Sequence, residues 1–125
     1  MKKLLCGALA ALAVLVVGQL GARNVAAPKE IGDIMKEAHT PPNNSLRKKV
    51  IEAKGSEEDA KKLLALYEDL AKNEPPKGEK AAWKKKTDTI IAAAKKVAAK
   101  PDDAVAAKAL GTATNCAACH KEHKP

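Results

Sequence analysis

Cys116-Ala117-Ala118-Cys119-His120 is the stretch of this chain whose residue types and spacing suit chemistry best. On a helix, steps of three and four residues bring both thiols and the imidazole to one face. A porphyrin edge laid along that face could take a thioether from each sulfur at its vinyl groups, with the adjacent imidazole as an axial ligand of the iron. The pattern is that of covalent c-type haem attachment, with one group on the chain. Two other chemistries use a Cys-x-x-Cys pair. A redox disulfide of the thioredoxin kind follows a strand in an alternating β/α chain, whereas this motif closes a chain that reads as helical throughout. A zinc site needs four protein donors, and besides His120 only His39 and His123 are at hand, with no second cysteine pair.

The rest of the chain must position that motif. Residues 1–27 read as a secretory signal: Lys2 and Lys3 lead, Leu4 to Val17 is an almost unbroken apolar run, and Gly18 to Ala27 is rich in small residues. The apolar run is shorter than the roughly 20 residues that a membrane span requires, so removal of the segment, leaving no stable membrane insertion, is the expectation. Cys6 would leave with it, and Cys116 and Cys119 would be the cysteines that stay. Loss of the three basic residues in this segment lowers the formal charge from +8 to +5.

Residues 28–125 then form one domain. With no Phe, one Tyr and one Trp in the chain, its core must come mainly from Ala, Leu, Ile and Val. Such a core buries little area, and a bound haem would supply much of the missing apolar surface. The periodicity predicts a first helix from Pro28 to His39, striped by Ile31, Ile34, Met35 and Ala38 and ended by Pro41-Pro42. Ser45 can cap a short helix carrying Leu46, Val50 and Ile51, which Gly55 closes. Ser56 starts a clearer helix with Glu57, Glu58 and Asp59 in its first turn, its inner face being Ala60, Leu63, Leu64, Tyr67, Leu70 and Ala71. After Pro75-Pro76 comes a long helix from about Glu79 to Ala99, with Trp83, Thr87, Ile90, Ile91, Ala94, Val97 and Ala98 inward. A last helix is expected from Asp102 through His120, with Val105, Ala109, Leu110, Ala113 and Cys116 toward the core. No period-two alternation marks a strand. The fold class expected is all-α: an antiparallel four-helix bundle with a short extra helix, the haem attached on its C-terminal helix.

A single Cys-x-x-Cys-His near the C-terminus of an exported four-helix chain resembles the class II cytochromes c, the cytochrome c prime group and its low-spin relatives. The resemblance covers residues 28–125 in layout, while only the haem motif is sharp. It implies covalent haem attachment outside the bacterial cytoplasm, in the periplasm or otherwise across the inner membrane. In the low-spin relatives a methionine of the first helix binds the iron opposite the histidine, and Met35 in Asp33-Ile34-Met35-Lys36 stands at the corresponding place. It is the one methionine left once the signal is removed. His39, four residues on and on the same face, is its rival. The short first helix, the Pro-Pro break and the additional small helix depart from the family pattern.

The expected activity is single-electron transfer through the haem iron, with Cys116 and Cys119 as covalent attachments, His120 as proximal ligand and Met35 as distal ligand; no substrate is transformed. The alternative is a five-coordinate haem that binds nitric oxide or carbon monoxide. A peroxidase-like reading would need a distal Arg and His pair that the sequence does not lay out. His123, three residues past His120, is expected in the solvated tail, and Trp83 and Tyr67 are candidates for packing near a porphyrin. The basic surface, with Lys61-Lys62, Lys84-Lys85-Lys86 and Lys95-Lys96, reads first as a solvated face and more sharply as a docking surface for acidic redox partners. Nucleic acid is not expected, since no stacking aromatics or binding motif accompany the charge. A homodimer stays open.

Overall fold

The computed structural model describes residues 26–125, all of them helix, turn or extended linker, with no strand among the described residues. The apolar run and most of the expected signal lie outside these residues. Among the described residues, no helix is long and apolar enough to cross a membrane.

Among the described residues six helices follow one another: α1 (Ile31–His39), α2 (Leu46–Ile51), α3 (Glu57–Lys72), α4 (Lys80–Ala99), α5 (Ala104–Ala113) and α6 (Cys116–His123). Polar side chains cap the starts of α2, α3, α5 and α6, while α1 and α4 begin without a side-chain cap. Ser45 accepts a hydrogen bond from the Lys48 amide, and Ser56 and Asp59 form a reciprocal capping box at the head of α3. Asp103 caps α5 through the Val105 and Ala106 amides.

α3 lies along α4 and α4 along α5, with α1 against α3 and the short α2 filling the angle between α1, α3 and α5. The core between them comprises Ile34 and Ala38 of α1, Val50 of α2, Ala60, Leu63, Leu66, Tyr67 and Leu70 of α3, Trp83, Ile90, Ala94 and Val97 of α4, and Ala106 and Leu110 of α5. Leu66 is thus more deeply set than Leu64, which packs at the core's edge.

Two expectations are corrected at the C-terminal end. The last helix is not continuous from Asp102 to His120 but stops at Ala113 and restarts at Cys116. Thr114 turns its hydroxyl back onto the Leu110 carbonyl at 2.7 Å, Arg47 Nε donates to the Thr114 Oγ1 at 2.8 Å, and Asn115 caps α6 by accepting from the Ala118 amide. The inward face of α5 is also rotated. Val105 is 80% exposed and Ala109 lies at the surface, while Ala106, Ala107 and Leu110 are buried. The helix that begins after Asp103 aligns 106, 107, 110 and Thr114 on one stripe, and that stripe meets α4 and α2.

A third correction concerns the end of α2. Gly55 does not supply the left-handed residue; Ala53 does, with φ of 54°. Gly55 is needed for closeness instead, because a Cβ there would stand 3.1 Å from Val50 Cγ2.

Candidate functional site: a cavity closed by the Cys-x-x-Cys-His helix

α6 holds Cys116, Cys119 and His120 on one turn at its start, as the Asn115 cap dictates. The turn lines a cavity of about 440 Å³ that α1 also lines, through Ile31, Met35 and His39. α3 contributes Tyr67 and Leu70, α4 contributes Trp83 and Ile90, and His123 with the C-terminal residues completes the rim. The seven residues singled out in the sequence (Met35, His39, Tyr67, Trp83, Cys116, Cys119 and His120) therefore meet around one space, although up to 85 positions separate them.

Both cysteines are free thiols, Cys116 exposed and Cys119 half-buried. Burial raises the Cys119 thiol above its ordinary range, the nearby Lys86 acting the other way. Cys119 therefore stays protonated at neutral pH. Among the described residues no three His, Cys, Asp or Glu side chains converge as a protein-only metal site would need.

Met35 is half-buried against the core and offers its thioether to the cavity. His39 does not simply cap the end of α1. Its Nε2 lies 3.5 Å from the Tyr67 hydroxyl, the outer limit of a hydrogen bond, with the two rings tilted at 52°. Desolvation, helped by the charges of Arg47 and His120, lowers the His39 pKa to about 4, so its imidazole is neutral at physiological pH. Tyr67, 1% exposed, is pushed above its ordinary phenol value by the same burial.

His123 overturns the expectation of a solvated tail: it is 2% exposed. The restart of the chain at Asn115 re-aims α6 so that Cys119 and His123, one turn apart, point inward. Its ring stands edge-on to Trp83 at 5.1 Å, and Nδ1 lies 3.0 Å from the Lys77 carbonyl in the turn between α3 and α4. The sequence carried one signal for this, the Thr114-Asn115 pair interrupting an Ala-rich run just before the motif, which is a helix-stop and N-cap signature.

No protein-family model, no curated protein and no solved structure matches this chain.

Proposed function

We propose that this chain is an exported mono-haem cytochrome c of the class II kind, which passes single electrons through a haem bound covalently at Cys116 and Cys119. The observation that carries the reading is the meeting of the Cys-x-x-Cys-His turn with Met35 and His39 around one largely apolar cavity. The residues fit such a group. Two free thiols at the attachment spacing, an adjacent imidazole, two further soft or nitrogen donors lining the cavity, and a volume of about 440 Å³ within the range of cofactor pockets all suit it. In this reading α1, α3, α4 and α5 are the four helices of an antiparallel bundle, α2 is the short extra helix, and α6 is the haem-carrying appendage.

Bound haem would supply a one-electron iron couple whose potential follows its axial ligands and their surroundings. The chain's own part is to hold and screen it. Cys116 and Cys119 would attach the ring to α6, and His120 would offer a nitrogen to its iron. Met35, with no competing partner for its sulfur, would offer the second donor. His39, neutral and facing the Tyr67 hydroxyl, stands one turn away as its rival. Ile31, Leu70 and Ile90 keep water from that space. Cationic surface near the cavity rim, including Lys121 and Lys124 on or beside α6, would favour approach of acidic redox partners.

The test is the absorption spectrum of the matured protein, ferric and ferrous, with and without carbon monoxide, for wild type, Met35→Ala and His39→Ala. A low-spin wild type indifferent to the gas, a Met35→Ala variant that binds it readily, and a His39→Ala variant that resembles wild type are the outcomes expected. A high-spin wild type that takes up carbon monoxide would instead make the protein a gas-binding haem. A matured chain without haem absorption would sink both readings.

A further inference from the structure

Every helix but one packs along a neighbour: α1 to α5 are joined pairwise through the core, whereas α6 lies along none of them to a comparable extent. Its eight residues carry the whole Cys-x-x-Cys-His motif, yet within α6 only His123 is buried. Something other than helix packing must therefore hold the motif against the cavity.

The contacts of His123 supply it. A backbone carbonyl can only accept, so Nδ1 carries a proton and donates to Lys77 O at 3.0 Å, across 46 residues of sequence. The ring edge seats on Trp83, whose own Nε1 donates to the Asn73 carbonyl at 2.8 Å, so the indole is fixed to the start of the same α3–α4 turn. Gly78 in that turn has φ of +85°, and a Cβ there would stand 2.8 Å from the Glu122 carbonyl oxygen and 3.0 Å from His123 Nδ1. The turn is thus shaped, by a left-handed residue without a side chain, to receive this imidazole. His123 Nε2 is buried without a hydrogen-bond partner, its nearest charged group being the Glu122 carboxylate at 3.6 Å, which in turn lies 3.7 Å from Lys86. A histidine with one nitrogen bonded and the other buried and unsatisfied is costly to place, and a helix this short has few other means of anchorage.

We propose that His123 is the positioning residue of the haem-carrying helix: seated between Trp83 and the Lys77 carbonyl, it anchors α6 to the α3–α4 turn and thereby sets how His120 is presented to the cavity. The part that concerns His120 as an axial ligand rests on the haem reading above; the anchoring does not. His123 touches no reacting atom in this account and acts through the helix it holds.

Two readouts on the full-length matured protein test this. The first is amide hydrogen exchange over residues 116–124, which needs no haem; the second is the midpoint potential and the ferric spin state. His123→Ala should speed exchange in 116–124 by about tenfold or more, the factor that loss of a hydrogen bond and a ring contact represents. It should also displace the potential and raise the high-spin fraction. His123→Asn, whose amide nitrogen replaces Nδ1, should recover most of both effects, and His123→Phe, which keeps only the ring contact, should recover less. Gly78→Ala, pressing on the same seat from the turn side, should move both readouts as His123→Ala does, and Ser56→Ala, which removes the cap at the far end of α3, should move neither. Should His123→Ala fail to fold, the Asn and Phe variants make the same comparison. Exchange over 116–124 no faster in the His123 variants than in Ser56→Ala would overturn the anchoring. Faster exchange with an unmoved potential and spin state would overturn the control of His120. A wild-type chain that matures without haem would fail the reading above while the exchange data still decide the anchor.

Discussion

At the scale of single residues, the cavity brings together side chains whose separate environments already divide their roles. His39 and Met35 share a face of α1, but the imidazole has the Tyr67 hydroxyl within 3.5 Å whereas the thioether has no polar partner. A donor without other engagements is the more available one, which is why, in the haem reading proposed above, Met35→Ala rather than His39→Ala is expected to open an iron to carbon monoxide. The motif residues and the two rivals were legible in the sequence because their identity and spacing carry the chemistry. His123 was not. The Thr114-Asn115 pair could have signalled a new helix start, but it does not say that the re-aimed helix seats His123 on Trp83. That seat comes from a turn some 46 residues earlier.

At the scale of elements, capping explains most of the boundaries, and it makes a pH prediction. The Asp103 carboxylate accepts from the Ala106 and Val105 amides, and those bonds, the Ala106 one foremost, hold its pKa below the ordinary carboxylate value against an opposing desolvation. Because the folded value lies below the unfolded one, the stabilisation from this cap is fully present above about pH 4, the unfolded aspartate range. It is lost as the pH falls through the folded value. In thermal melts, wild type should therefore lose stability between pH 4 and lower pH more steeply than Asp103→Asn, which keeps an accepting side-chain oxygen but cannot titrate; parallel curves would contradict the cap's role. Ala53 offers a second check. Its φ of 54° is a conformation that glycine adopts without a Cβ penalty, so Ala53→Gly should raise stability by about 0.5–1 kcal/mol in denaturant titration. A loss of stability would mean that the left-handed residue is tolerated there for its packing.

At the scale of the whole molecule, the core is built with one tryptophan, one tyrosine and no phenylalanine, and it borders a cavity of about 440 Å³ that α6 covers with few contacts of its own. A domain of this size buries a modest fraction of its surface, so filling that cavity with an apolar ring should add substantially to its stability. If Cys116 and Cys119 hold the haem proposed above, the chain carrying Cys116→Ser and Cys119→Ser should melt at lower temperature and over a broader range in circular dichroism. A cooperative transition matching that of the haem-loaded protein would refute this. Much of the surface charge is locally paired: Lys61 with Glu57, Lys62 with Glu37, Lys84 with Asp88 and Lys86 with Glu122. Such exposed pairs each contribute less than about 1 kcal/mol, so they affect encounter with partners more than they hold the fold.

From the sequence alone one could read the helical class, the breaks at Pro41-Pro42 and Pro75-Pro76, the caps at Ser45 and Ser56, and the motif that points to haem. All of these rest on interactions between residues a few positions apart, or on residue chemistry that needs no neighbours. The register of α5 and the burial of His123 were decided by tertiary structure. Each depends on which distant surface a helix meets: the α5 stripe meets α4 and α2, with Arg47 of α2 reaching Thr114, and the α3–α4 turn receives His123. Burial against a distant part of the chain outweighs local preference there, and no pattern in a short window of sequence records it.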